Sequence, residues 1–532
     1  MARQVVEPTV DTAPPSPDHE APDPRRWWVL VAMVFGLLMP MLDNLVVNVA
    51  LPTIQRELGT GVSGLAWIVD AYTLTFASFM LTGGALGDLY GRKRFFLTGL
   101  VVFTLGSLMC GLSGSTGQLV AFRALQGLGA AMLLPGSLSI ITATFSGKER
   151  GAAIGIWAAI SGLAIAIGPI VGGYLVEHVS WESIFFVNLP IGVLGILMTW
   201  FIVHESRDES RSRRVDPPGL VTGTGGIFFL VYALIEGNAK GWTDGVILGS
   251  FALCAVLLIA FFLIESHRPS PMLPLSFFRI PTFSASNVVA ASVFFALFGV
   301  TFFLTLYLQN IEGYSPVAAG LRLFPFTLMI LIFAPLSGRL SDRYGSRWFM
   351  TAGTLTAAVG MALLVRTAPG SPYATVILPA FLVLGAGLAT TMAPMTSAVM
   401  GSVETRHAGV ASAATNTSRE LGGVFGIALL GAIVTSAFHR GLVARLVSGG
   451  MARSQAVAIA AKSAGSSASG AVSGGGAGPL VPAVHGAFVH AIHVAMVVGV
   501  GFLVLASLVS AIFVRSHVTS TKEEAPEVAV GI

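Results

Sequence analysis

Charge is the scarcest thing in this chain: Asp, Glu, Lys and Arg make up 11% of its 532 residues, where a soluble protein carries about 25%. A chain so short of charge could not cover a water-facing surface. Cysteine is almost missing too. Cys110 and Cys254 lie in separate apolar runs, so they read as buried small hydrophobes, and neither a disulfide framework nor a metal site is expected. No phosphate loop of the form G-x-x-x-x-G-K-[ST] occurs, and the Gly127-x-Gly129 pair and the Gly223–Gly226 cluster follow no strand, which removes the usual nucleotide-binding signatures. His485, His490 and His493 do not share one tight helical face, so they are not read as metal ligands. No catalytic constellation is apparent, and an enzyme is not expected. The first 24 residues are rich in Pro and acid (Glu7, Asp11, Asp18, Glu20) and lack an apolar stretch. They read as a disordered cytoplasmic tail rather than a signal peptide.

What the chain has in plenty is apolar sequence: 54% hydrophobic residues and a mean hydropathy of +0.80. The apolar residues come in runs long enough to cross a hydrocarbon core of about 30 Å as helices. About fourteen such runs are expected. Glycine, at 62 residues, suggests close helix packing in lipid. The net charge of +4 does not point to nucleic acid, because the basic residues fall in short loops between spans. With the N-terminus inside, Lys and Arg favour the cytoplasmic side by about three to one, as the positive-inside rule requires. Both termini are therefore expected in the cytoplasm, and the chain in the cell membrane, in contact with lipid.

The sequence also repeats. Gly84-Ala-Leu-Gly-Asp-Leu-Tyr-Gly-Arg-Lys-Arg-Phe returns as Gly338-Arg-Leu-Ser-Asp-Arg-Tyr-Gly-Ser-Arg-Trp-Phe, which makes Asp88 and Asp342 equivalent. A parallel repeat implies two halves related by an axis along the membrane normal, with a site between them at mid-depth. The expected layout is a tail (1–26), a six-helix bundle (27–204), two extra helices with their loops (205–281), a second six-helix bundle (282–514) and a cytoplasmic tail (515–532). Within the second bundle, 441–482 includes the Ser-, Gly- and Ala-rich Ser463–Gly478 and reads as a mobile external loop. The last two spans are placed near His407–Phe438 and Ala487–Val514.

The repeated motif, Gly84-x-Leu86-Gly87-Asp88-x-x-Gly91-Arg92-Lys93-Arg94, resembles the loop signature of the major facilitator superfamily. Its chemistry suits a gate: glycines let helix ends approach, Asp88 can accept bonds from a helix N-terminus, and the basic run can pair with acids of the opposite half. The second copy has Ser346 in place of Arg92, so Asp342 is expected to be the weaker latch. Leu119-x-x-x-Arg123-x-x-Gln126-Gly127-x-Gly129 resembles the fourth-span motif of the superfamily's proton antiporters. An Arg inside a span costs at least about 2.5 kcal/mol and should face a cavity or a partner. The resemblance implies that Arg123 tunes an acid on a neighbouring helix; a fixed structural salt bridge is the alternative. Gly168-Pro169-x-x-Gly172-Gly173 resembles the fifth-span motif that marks antiporters. Ala164, Gly168 and Gly172 give a smooth packing face and Pro169 allows a bend. Leu42-Asp43-Asn44 through Leu51-Pro52, and Trp181 through Pro190-Ile191-Gly192, are similar to the fourteen-span drug/proton antiporter branch (the EmrB/QacA type).

An acid inside a span must find a cation or take up a proton. Asp43, Asp70 and Glu420 are therefore the candidates for proton coupling or substrate binding, with Arg123 beside them and Asp70 the foremost. Trp67, Tyr72, Tyr307 and Met392 are candidates for an apolar substrate wall, and Arg322 reads as a snorkelling residue. The expected protein is an all-α membrane antiporter of the major facilitator fold, with no cofactor beyond the proton gradient and acting as a monomer. Its expected substrate is a small amphipathic or cationic compound moved outward against inward protons. The rival reading is a dedicated exporter of one natural product, lipid or siderophore.

Overall fold

The computed structural model describes residues 24–60, 62–145, 147–207, 216–268, 271, 273–404, 407–465 and 481–515. The tails at 1–23 and 516–532, most of the Arg-rich loop and residues 466–480 lie outside the described residues. Sixteen α-helices cover most of what is described, with no strand among the described residues. They are α1 (Arg26–Leu58), α2 (Val62–Tyr90), α3 (Arg92–Gly111), α4 (Thr116–Thr144), α5 (Gly147–His178), the short α6 (Ser183–Phe186), and α7 (Asn188–Ile202). Next come α8 (Pro217–Lys240), α9 (Gly245–His267), α10 (Pro281–Leu306), α11 (Pro316–Tyr344), α12 (Ser346–Leu364) and α13 (Leu378–Gly401). The last are α14 (Ala408–Ser448), α15 (Arg453–Gly465) and α16 (Val481–Phe513).

Among the described residues, eleven segments are long and apolar enough to cross a membrane, α6 and α7 counting as one. The helices α2, α5 and α12 pack among these segments and are more polar or richer in small residues. Side chains close several helix starts. Ser115 accepts from Gln118 N, Asp216 from Gly219 N, Asp244 from Val246 N and Ser315 from Ala318 N, each satisfying a donor that a helix leaves open. Gly91 and Gly345 join the second and third helices of each half with φ of 114° and 84°, a left-handed conformation that glycine adopts without penalty. The sequence repeat is thus a repeat of backbone geometry.

Within the first half, α4 packs on α2 and α3, and α1 on α5 and α7. In the second, α13 packs on α11 and α12, while α10, α14 and α16 form a trio. The halves meet along two seams, α5 against α11 and α2 against α14, which exchange places under the repeat. The pair α8–α9 rides outside, with α8 against α2 and α14.

Two expectations change. The segment 441–482 is not a loop where it is described: α14 continues to Ser448, α15 forms, and α16 already begins at Val481. Alanines on α15 explain this, since Ala456 and Ala460 are fully buried in the second-half core beside Leu442 and Leu446. The span expected near His407–Phe438 is longer than placed: α14 is one uninterrupted helix of 41 residues, about 60 Å long at 1.5 Å per residue, twice the hydrocarbon thickness.

Candidate functional site

At the loop end of α2, Asp88 is 1% exposed and held from three elements. Arg92 Nε donates to Oδ1 at 2.8 Å, Ser139 Oγ of α4 donates to Oδ1 at 3.4 Å, and Val410 N at the start of α14 donates to Oδ2 at 3.0 Å. The last bond crosses between the halves and places a carboxylate at a helix N-terminus, where the peptide dipoles favour it. The approach depends on glycine. A Cβ at Gly409 would strike the Asp88 carboxylate, and one at Gly84 would lie 2.7 Å from the Gly409 carbonyl oxygen. Two members of the basic run engage groups of their own half. Lys93 Nζ donates to Trp200 O at 2.8 Å, and Arg94 lies 3.7 Å from Glu205, both within the same half. Glu205 accepts from Lys93 N and Arg94 N at 3.0 and 3.2 Å, closing the start of α3. A carboxylate already sits at that helix start, so Lys93 and Arg94 are engaged within the first half.

The repeat mate is looser. The Asp342 carboxylate abuts Gly151 in the first turns of α5, the mirror of Asp88 against Gly409. Yet Asp342 is exposed, and no hydrogen bond or ion pair fixes it among the described residues.

Deeper in the first half, Arg123 and Asp43 are fully buried. Arg123 Nη1 donates to Asp43 Oδ2 and, at 2.9 Å, to Gln126 Oε1, while Nε donates to Ile68 O at 3.1 Å. Gln126 Nε2 and Asn188 Nδ2 donate to Asp43 Oδ1 at 3.2 and 3.1 Å, and Ser107 Oγ accepts from Gln126 Nε2 at 2.6 Å. The guanidinium carbon stands 4.4 Å from the Tyr72 ring centroid, a cation–π contact in a dry setting. Four helices (α1, α3, α4 and α7) and α2 therefore converge on one ion pair. The acid that Arg123 meets is Asp43 and not Asp70.

Asp70 instead belongs to the α2–α8 contact. Its charge interacts with Glu236 of α8, which pairs with Lys240 at 3.1 Å. The neighbouring Trp67 and Tyr232 rings are 6.2 Å apart. In the second half, Arg419 donates to Asn416 Oδ1 at 3.1 Å and to Thr396 Oγ1, and lies 5.9 Å from the Trp157 ring of α5. Glu420 is 8% exposed and makes no hydrogen bond or ion pair among the described residues. The Tyr72 hydroxyl donates to Pro40 O at 3.3 Å. Tyr307 and Met392 are also buried, Tyr307 donating to Glu312 Oε1 at 2.8 Å.

On α5, Gly168 is buried, and the side chain of Pro169 lies outside the described residues. A Cβ on Gly172 would press to 2.9 Å from Val46 of α1, and one on Gly173 to 2.9 Å from Val317 of α11. Adjacent glycines thus let α5 touch a helix of each half. Ser107, Asn188, Glu205, Glu236 and Gly409 were not singled out by sequence. Asn188 stands two residues before the Pro190-Ile191-Gly192 motif, the one signal that could have found any of them.

Two helical halves that exchange roles across a pair of glycine-lined seams, with a buried acid–arginine centre between crossing helices, define a multi-span membrane transporter. The chain belongs to the Major Facilitator Superfamily, whose model matches residues 33–427. It is 34% identical over 508 residues, 94% of both chains, to the tetracenomycin C resistance and export protein of Streptomyces glaucescens. Over 408 residues, 76% of this chain and 75% of the other, it is 38% identical to the multidrug resistance protein Stp of Mycobacterium tuberculosis. The human organic anion transporter MFSD10 (TETRAN) superposes with a TM-score of 0.58 at 13% identity, covering 92% of this chain and 100% of that one, a likeness of fold. The relatives are drug resistance and export transporters, not enzymes.

Proposed function

We propose that this chain is a proton-coupled antiporter of the fourteen-span EmrB/QacA type that exports amphipathic, cationic compounds across the cell membrane. It works as a monomer with both termini in the cytoplasm. In this reading α2, α5 and α12 cross along with the eleven apolar segments, and the α8–α9 pair supplies the two extra spans. The observation that carries the reading is Glu420: a buried acid of the second half that makes no hydrogen bond or ion pair among the described residues, whereas Asp43 is bonded to Arg123. A buried carboxylate that no donor holds is free to take up a cation or a proton, and an antiporter needs an acid that does each in turn. The relatives' resistance and export names support outward transport.

The driving force suffices. One charge crossing 100 mV supplies about 2.3 kcal/mol and one pH unit about 1.4 kcal/mol. One proton per cycle thus sustains a gradient of several hundredfold, on the order of 3.7 kcal/mol. The test uses energised everted vesicles taking up a fluorescent lipophilic cation. A protonophore should abolish uptake while ATP is present; uptake that persists sinks the reading.

The relative that matches 94% of both chains is named for a single antibiotic, which favours a second reading, a dedicated exporter. Competition separates the two: unrelated lipophilic cations inhibit one another in a multidrug pump and leave a dedicated exporter untouched.

A further inference from the structure

Arg419, on α14, is a buried cation that proton coupling at Glu420 leaves unused. It is 5% exposed, and no carboxylate forms an ion pair with it among the described residues. Its Nη1 donates to Asn416 Oδ1 at 3.1 Å and its Nη2 to Thr396 Oγ1, both neutral oxygens, while Nε is buried with no hydrogen bond. Arg123 of the first half, by contrast, is bonded to Asp43. Glu420 follows Arg419 directly in sequence, so its side chain leaves the helix about 100° away. A guanidinium held inside a membrane protein without an anion is costly, and such residues mark binding sites or transport pathways.

The surroundings place this cation between the halves. Its guanidinium carbon stands 5.9 Å from the Trp157 ring of α5 and 5.4 Å from the Phe294 ring of α10, one ring from each half. Trp157 is fixed in turn, its Nε1 donating to Ser137 Oγ of α4 at 3.1 Å. Arg419 stands eleven residues beyond the start of α14, about 16 Å along its axis and half-way through a hydrocarbon core of about 30 Å. Trp157 is ten residues into α5, at a matching depth. A transporter built from two parallel-repeat halves binds its substrate at this depth, between them. Trp157 covers Arg419 from the opposite half, so parting of the halves uncovers the guanidinium. An aromatic ring bearing an anionic oxygen matches the cover it replaces and fills the N–H capacity that no protein anion fills.

We propose that Arg419 is the anion-binding residue of the transport site, and that the exported compounds are aromatic zwitterions whose carboxylate or phenolate oxygen pairs with its guanidinium. The cationic group of the same compound is left to Glu420. This substrate class rests on the export reading above and narrows it. Binding is measured without a proton gradient, so a loss of proton coupling and a loss of anion recognition are separate results.

The test compares rhodamine B with its ethyl ester, which share one aromatic cation and differ in whether the carboxylate is free. Each dye is titrated by fluorescence polarisation against the purified full chain in uncharged detergent at neutral pH. The wild type should bind the free acid more tightly than the ester. In Arg419→Gln the affinity for the acid should fall about tenfold or more, the scale of a lost charge-assisted bond, while that for the ester stays within about twofold. The proposal is overturned if the wild type binds the ester as tightly as the acid or shows no saturable binding of the acid. An equal loss for both dyes in Arg419→Gln overturns it too, because a merely structural arginine would not distinguish them. If Arg419→Gln does not fold, the wild-type comparison of acid with ester decides alone.

Discussion

The two halves carry the same frame and fill it differently. In the first, both acids are held by donors: Asp43 receives bonds from Arg123, Gln126 and Asn188, and Asp88 from three elements, although Arg123 Nη2 and Asn188 Oδ1 themselves are buried without a hydrogen-bond partner. In the second, Glu420 makes no hydrogen bond or ion pair among the described residues, and Asp342 stands exposed at the seam that mirrors Asp88. A satisfied network rigidifies and specifies one arrangement, whereas an unsatisfied acid keeps its binding capacity. The comparison suggests that the first half is the fixed frame and the second half carries the titrating and moving parts.

Breaking the frame should have the largest effect. Arg123→Leu leaves Asp43 buried without its cation, and removing one partner of a buried pair costs about 3–5 kcal/mol. We expect a large drop in the thermal unfolding midpoint in detergent, partly restored by adding Asp43→Leu. An unchanged midpoint in the single variant would mean that the network is not stabilising.

Next comes the seam. Gly409→Val would drive a side chain into Asp88, which cannot yield because Arg92, Ser139 and Val410 N hold it. Transport should fall about tenfold or more, the scale of a lost charge-assisted bond, with the protein still inserted. Gly151→Val meets Asp342, whose exposed side chain can swing aside, so a mild loss is expected. Equal losses would erase the distinction between the seams.

Glu420→Gln sharpens the contrast from the other side. Since Glu420 makes no hydrogen bond or ion pair among the described residues, stability should change by less than about 1 kcal/mol, while proton release per cation bound should fall. Asp70→Asn is the control, because Asp70 interacts with Glu236 at the α8 contact. Proton release that falls only in Asp70→Asn would move the coupling acid to α2.

The frame was legible in the sequence because it rests on local patterns. Apolar run length gave the helices, and the Gly-Asp-Gly spacing gave both the repeat and its two glycine junctions, Gly91 and Gly345. Arg123 and Asp43 were legible as intramembrane charges, since each is costly alone. That they pair with one another was not, because partner choice is set by helix rotation across 80 residues of sequence, and a carboxylate at 43 or at 70 satisfies the same rule. Glu205 and Gly409 were invisible for a related reason. One is an ordinary loop acid and the other an ordinary glycine until tertiary packing sets them against α3 and Asp88. The helix α15 was missed because its 13 residues are too few to read as a span, although two buried alanines dock it.

The smallest expected effect is also the most discriminating. Asp88→Asn keeps the size of the side chain but loses the charge that answers Val410 N and Arg92, so transport should fall strongly. Asp342→Asn removes a charge that no donor holds, from an exposed position, and surface substitutions of that kind change stability by about 0.5 kcal/mol or less. Transport in Asp342→Asn should therefore stay within about twofold of wild type, a difference of roughly 0.4 kcal/mol. The measurement is the initial rate of cation uptake in everted vesicles, normalised to inserted protein. If Asp342→Asn fails as badly as Asp88→Asn, the exposed carboxylate must close onto the start of α5 at another stage of the cycle. The two seams would then be equal latches used in turn, and the asymmetry seen here would belong to one conformation rather than to the protein.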